Sequence, residues 1–473
     1  MASGALTPPQ TAYDIPSDVS TKGISEALQK AALSSSVQPA LADVGTAPPT
    51  PPLNSGCDTP IAELDASLLQ CTYTTAPRTV PAKGSPEQAS LKVCTDHMIL
   101  ATWRRAIGWS APSLQPYGPL NLMPTASCLH YATECFEGMK LYRGFDGKLR
   151  LFRPELNCNR MLMSSTRIAL PGFDPAELLR LIVKLCVTDG PKWLPKDQKG
   201  SFLYIRPTMI ASDPALGVQA PNEALLFIIL TCMPSLDDVK GGLNLLASRD
   251  DMCRAWPGGF GYAKVGANYG PSLLAQGEAR RRGFHQVLWL FGEDCAVTEA
   301  GASNFFVVWR TREGQLQLVT ASLDERIVLD GITRRSILEL ARERLASSLK
   351  SEGLEPLEVV ERKFTMMELE DAAADGRLVE AFGTGTAWFV AAVSKIQFRG
   401  KEISVPMGKT GEMGEYARVL KSWVKEIMWG CEGNTEHEWG YVVEESAFTK
   451  DRPRRSYDKE WDAYLGLDDW PFR

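Results

Sequence analysis

Only four histidines occur in the 473 residues, and the eleven cysteines include no CxxC pair. Neither pattern has zinc-site spacing, and an odd, irregular set of thiols does not make a disulfide framework, so no metal is expected and the thiols are expected to be reduced. Long apolar runs are missing as well. The longest nearly unbroken one, Ala224 to Leu230, is far too short to span a bilayer and reads as a buried strand. Nor is there an excess of positive charge: 51 Lys and Arg against 57 Asp and Glu leave a formal net charge of -6, which excludes a broad basic surface for nucleic acid. No arginine precedes Arg78, whereas Asp14, Asp18 and Glu26 do. A mitochondrial presequence would be rich in Arg and poor in acids, and no apolar stretch suited to secretion stands at the start, so the expected compartment is the cytoplasm.

What is present is the balance of a soluble enzyme, 44% hydrophobic and 23% charged, in a chain too long for one core. Residues 1–85 are rich in Pro, Ser, Thr and Ala and carry no sustained apolar period, and they are expected to be a disordered extension. A small α/β domain is expected over 86–232, a linker over 233–242, a large domain over 243–443 and a charged tail over 444–473. Strands are predicted at Lys148–Phe152, Leu203–Ile210, Ala224–Leu230, Gln286–Phe291 and Asn304–Trp309. Asp174, Pro175 and Glu177 signal a helix start ahead of the apolar positions Leu178, Leu179, Leu181, Ile182 and Leu185. A long helix is predicted from Thr333 to Leu349, and another buries Tyr416, Leu420, Trp423, Val424 and Ile427.

The most unusual local sequence runs from Gly258 to Gly270, a lone Lys264 among glycines and aromatics. Glycines let backbone approach a ligand closely, and a lysine beside another cation can lose its proton and act as a nucleophile. A solvated loop lysine is the commoner state of such a residue. A second segment, Val297 to Asn304, places Glu299 in what reads as a tight turn between two apolar strands. Two further segments, Leu329–Arg334 and Phe382–Ala387, offer backbone N–H groups for an anion. The amides of Ile332 and Thr333 would open the long helix, at the positive end of its dipole.

In this order and at these intervals the segments resemble the branched-chain amino-acid aminotransferases, of fold type IV among pyridoxal-phosphate enzymes. The similarity spans roughly Lys92 to Val443. It is sharpest at Cys94–Met98, Leu129–Tyr131, Phe136–Lys140, Leu151–Pro154, Tyr204–Pro207, Gln286–Leu290 and Glu436–Trp439. The resemblance implies an α/β fold of the α+β type, two domains with pyridoxal 5'-phosphate at their interface. It implies that Lys264 carries the cofactor as a Schiff base and shuttles the substrate proton. It further implies that Tyr269 bonds the phenolic oxygen, that Glu299 pairs with the pyridine nitrogen, and that Arg160 with Ile332, Thr333 and Thr386 holds the phosphate. For the substrate it implies Tyr131, Phe136, Tyr204, Arg206, Ala302 and Ala387.

Small-molecule amino acids and 2-oxo acids are the implied partners, together with a second copy of the chain. A loop at Ala215–Val218 would reach into that copy's site. Several positions depart from the family pattern: Ser90 and Leu236 where aromatics are usual, Ala302 for a threonine, Asp330 for a proline, and Trp388 and Ala391 for cysteines that pair in some animal relatives. Transamination of Leu, Ile and Val with 2-oxoglutarate is the leading expectation. A specialised enzyme for longer or functionalised aliphatic 2-oxo acids is the alternative, ahead of a D-amino-acid aminotransferase or lyase.

Overall fold

The computed structural model describes residues 61–234, 239–346, 353–387 and 389–445. Their strands build two large sheets, one drawn chiefly from each half of the chain. Along the first sheet the order is Gln70–Cys71, Ser113–Pro116, Cys94–Arg104, Glu223–Thr231, Phe202–Ala211, Met139–Arg143, Leu149–Phe152 and Gly440–Val443, with Gly108–Trp109 and Glu134–Phe136 paired at its side. Strict alternation explains the central strand. Ala224, Leu226, Ile228 and Leu230 are buried, while the residues between them are half-buried. The helix Pro175–Trp193 covers that core with Leu178, Leu181, Ile182 and Leu185, all fully buried. It starts where its sequence indicates, Asp174 accepting from the Ala176 N–H at 2.8 Å. Glu177 does not close a capping box; it accepts from the Ala66 N–H at 2.9 Å.

That bond ties down part of the expected disordered extension. Residues 61–85 are packed rather than a loose continuation of the N-terminal extension: Leu64 is in the core, Gln70–Cys71 joins the sheet, and two buried side chains hold the chain beyond it. Thr74 N–H donates to His97 Nε2 at 3.0 Å, and Arg78 N–H donates to Asp96 at 2.6 Å. Order here comes from backbone bonds to buried polar groups, which leave no apolar period to read. The rest of the expected extension, residues 1–60, lies outside the described residues, as do 235–238 of the expected linker and most of the expected tail.

In the second sheet nine strands follow the order Ala296–Ala300, Gln286–Phe291, Leu243–Ala247, Val390–Phe398, Leu378–Thr384, Ser303–Arg310, Leu316–Thr320 and Glu358–Glu361, with Lys401–Ser404 on the edge of Val390–Phe398. Ala296–Ala300 also pairs with Ser303–Arg310, which closes the first six strands of that order into a ring. Glu299 therefore sits on a short, fully buried strand and not in a turn; the turn is at Gly301–Ala302, where Gly301 has φ +61°. Five residues with an acid among them carry too weak a strand pattern to be told from a turn.

Three helices finish the frame. Gly270–Arg281 is the crossover between the parallel strands Leu243–Ala247 and Gln286–Phe291. Ile332–Arg344 starts one residue before the predicted helix and ends short of it, residues 347–349 lying outside the described range. Glu415–Trp429 buries all five predicted apolar positions. After it the chain returns to the first sheet, where Gly440–Val443 pairs with Leu149–Phe152. Arg150, fully buried, binds Asp146 and the Thr435 carbonyl, and Arg143 reaches Glu445 at 2.6 Å. Residues 440–443, expected in the large domain, thus add a strand to the first sheet.

Candidate active site

Lys264 lies in the connection between the strand Leu243–Ala247 and the crossover helix, the usual place for ligands at the end of a parallel strand. Its backbone is pinned on both sides. The Lys264 N–H donates to Ser164 Oγ at 2.8 Å, and its carbonyl accepts from the Phe136 N–H at 3.1 Å. Asn268, buried, donates to the carbonyls of Ala263 and Phe260 at 2.8 and 2.9 Å, which fixes the surrounding glycine-rich loop. The half-buried amine donates to the Tyr269 hydroxyl at 3.3 Å and stands 5.1 Å from the centre of the Phe136 ring. It is no solvated loop lysine.

A cavity of about 130 Å³ opens beside that amine, lined among others by Tyr269, Glu299, Arg254, Trp289 and Ala302. Glu299 is almost fully buried and ion-paired to Arg254, and it accepts from the Leu329 N–H at 3.2 Å and from Asn304 at 3.3 Å. Burial pushes its carboxyl above the ordinary carboxylate range, against the opposing pull of Arg254, the Leu329 amide and Lys264. Arg254 Nε is buried without a partner among the described residues.

A second convergence lies at the start of the helix Ile332–Arg344. Gly331 is its N-cap, so no side chain caps the first amides. A Cβ at Gly331 would lie 2.1 Å from Asn304 Oδ1, so a larger residue would push aside the Asn304 amide that bonds Glu299 and the Leu329 carbonyl. Arg160 donates from Nη1 to the Asp330 carbonyl at 2.8 Å, and Thr333 Oγ1 donates to the Gly385 carbonyl at 3.4 Å. Arg160, the helix start and the half-buried bend of Thr386 and Ala387 are thereby tied together. Asp330 pairs with Arg335 at 2.5 Å.

Phe136, Tyr204 and Arg206 form a third group. The Arg206 guanidinium lies 4.5 Å from the Phe136 ring centre and donates to the Tyr204 hydroxyl at 3.2 Å, and its Nε is buried without a partner among the described residues. Phe136 in turn packs on Tyr269 at 5.3 Å. Tyr131 stands apart: it is 41% exposed and donates its hydroxyl to the Leu216 carbonyl, in the loop expected to cross to a second copy. Ser90 is exposed and donates to the Glu87 carbonyl of its own helix at 2.6 Å. Ala391 is buried in its strand, while Leu236 and Trp388 lie outside the described residues.

Sequence reasoning missed Ser164, Asn268, Arg254 and Glu137. Glu137 and Asn268 had a signal, since they fall inside the Phe136–Lys140 and Gly258–Gly270 stretches; Ser164 and Arg254 are ordinary polar residues whose roles depend on Lys264 and Glu299, distant in sequence.

The site fits a phosphorylated pyridine aldehyde. A confined amine, a hydroxyl beside it, a buried carboxylate and an uncapped helix start next to an arginine would suit its aldehyde, phenol, ring nitrogen and phosphate. Residues 134–396 match the family model for amino-transferase class IV. The chain is 43% identical to the cytosolic branched-chain-amino-acid aminotransferase of Saccharomyces cerevisiae, over 81% of this chain and 98% of that one. With the mitochondrial enzyme of Schizosaccharomyces pombe it shares 43% identity over 74% and 81%. Among solved structures it resembles the branched-chain amino acid aminotransferase of T.th. complexed with N-(5'-phosphopyridoxyl)-L-glutamate, with a TM-score of 0.54 and 26% identity over 73% of this chain and 98% of that one. The branched-chain aminotransferase of Thermoproteus uzoniensis gives 0.56 at 23% identity, over 73% and 100%, and shows the shared fold. The chain belongs to the class IV amino-transferases, within the branched-chain-amino-acid aminotransferase family.

Proposed function

We propose that this protein transaminates L-leucine, L-isoleucine and L-valine with 2-oxoglutarate, using pyridoxal 5'-phosphate. The observation that carries the reading is the Lys264 amine, 3.3 Å from the Tyr269 hydroxyl, in a cavity that Glu299 also lines. When bound, the cofactor supplies an electron sink for the carbanion formed at substrate Cα.

The chain's own groups do the rest. Lys264 would hold the aldehyde carbon through its amine and, when that amine is free, would take the Cα proton and deliver it to the carbon that carried the aldehyde. Tyr269 would hold the phenolic oxygen. Glu299 would keep the ring nitrogen protonated by offering its buried oxygens as counter-charge. Arg160, Ile332, Thr333 and Thr386 would hold the phosphate. Phe136, Tyr204 and Arg206 would line and orient the side-chain pocket, with Tyr131 joining them from its exposed position beside Leu216, and backbone around Ala302 and Ala387 would meet the substrate carboxylate.

We further read 86–232 and 243–443 as the small and large domains, except for the last strand, joined through 233–242. A homodimer is supported by exposed Leu216 and Val218 in the loop that Tyr131 holds. For the compartment, the relatives include cytosolic and mitochondrial forms, and we read this chain with the cytosolic ones. The specialised alternative is not favoured, because the relatives carry the branched-chain name along most of the chain. Steady-state transamination of Leu, Ile and Val beside longer aliphatic amino acids is the test. A wide preference for the longer chains would overturn the reading.

A further inference from the structure

Arg160 is expected to meet the cofactor phosphate, yet two of its five guanidinium N–H groups face a carboxylate with no assigned role. Glu137, fully buried, takes Arg160 Nε at 2.7 Å on one oxygen and Nη2 at 2.9 Å on the other, the side-on fork of a bidentate pair. The second oxygen also accepts from Asn157 at 2.8 Å and from the Gly138 N–H at 3.1 Å, and the Glu137 N–H is bonded to the Pro207 carbonyl at 2.8 Å. Burial alone would raise this carboxyl; Arg160, then Lys264 and the Asn157 bond, hold it below the ordinary carboxylate range. With Nη1 also on the Asp330 carbonyl, three of the five guanidinium N–H groups are engaged and one remains on each Nη.

The pair is electrically neutral as a unit, so Arg160 cannot hold a phosphate through net charge. Its value lies in where those two remaining N–H groups stand. We propose that Glu137 is the positioning residue of the phosphate site: it clamps the Arg160 guanidinium in one plane and so determines the enzyme's preference for phosphorylated over unphosphorylated cofactor. Asn157 and the Gly138 amide complete the clamp, since a carboxylate fixed by two further donors cannot rotate and release the fork.

The inference rests on the reading of Arg160 and the Ile332 helix start as the phosphate site, and one experiment separates the two. Apo-protein is titrated with pyridoxal phosphate and with pyridoxal, following tryptophan fluorescence. A wild type that binds both equally would sink the phosphate-site reading itself. Given a wild-type preference, Glu137→Gln, whose amide must turn an N–H toward one of the present donors, is expected to weaken pyridoxal phosphate about tenfold or more while pyridoxal changes by less than about twofold. Equal losses for both ligands, or an unchanged ratio, would overturn the positioning role. Arg160→Lys in the Glu137→Gln background should add little to the loss; full additivity would also count against the proposal. If Glu137→Gln gives no folded protein, Asn157→Ala reports instead, with a smaller drop in the same ratio as the supporting result and no drop as the opposing one.

Discussion

Lys264 and Arg254 show how differently two cations can serve one cleft. Lys264 has a hydroxyl beside it and, among the described residues, no carboxylate bonded to its amine, which leaves it available for covalent chemistry, whereas Arg254 is committed to Glu299 and to the Ile327 carbonyl at 3.0 Å. Replacing Lys264 with Ala is expected to cut kcat/KM by on the order of 10³-fold or more. Borohydride treatment of the loaded protein should then no longer add the cofactor's mass, and a retained adduct would mean that another amine does the work. Arg254→Ala is expected to fail for another reason. It strands a buried carboxylate, and breaking such a pair costs about 3–5 kcal/mol, so the urea midpoint of the apo-protein should fall clearly. At this scale the sequence was legible where a residue was locally odd, as Lys264 is among glycines. It was opaque where the role is a partner: nothing about Arg254 marks it until Glu299 is found against it.

Elements were legible in proportion to their period. The helices Pro175–Trp193 and Glu415–Trp429 and the strand Glu223–Thr231 bury one regular face, and a regular face is written in the sequence. Ala296–Ala300 and the segment 61–85 are held by ring closure and by buried polar acceptors, which leave no such trace. The helix Glu415–Trp429 also carries a pH dependence. Its first amides, Tyr416 and Ala417, donate at 3.1 and 2.6 Å to Glu380, a carboxyl that burial raises from 4.5 to about 7, with Glu415 adding to the rise against those two bonds. A carboxyl raised in the folded state stabilises fully below its unfolded value and loses that stability as pH climbs through the folded value. Apo-protein stability should therefore fall from about pH 4.5 to beyond 7, by about 3 kcal/mol in all from this group. Glu380→Gln should flatten that part of the profile in urea melts at pH 5 and 8, and an unflattened profile would assign the dependence to other groups.

For the whole molecule the open question is what covers the apolar surface around the site. Among the described residues Leu273 is 75% exposed and Leu274 67%, both on the helix that begins directly after Tyr269, and Leu216 and Val218 are exposed in the loop that Tyr131 holds. Neighbouring leucines lie about 100° apart around a helix and can share one broad apolar face; here both are bare, and burying each would remove roughly 1.5–3 kcal/mol of exposure cost. A second copy seated here would stabilise the start of that helix and hence the position of the Tyr269 hydroxyl against Lys264. Leu273→Glu combined with Leu274→Glu is accordingly expected to give monomers in sedimentation velocity. Transamination should fall with the dimer fraction and recover at high protein concentration, because the chemistry of Lys264 itself is untouched. Monomers with full activity would show that each chain completes its own site, and a dimer that survives both charges would move the interface elsewhere.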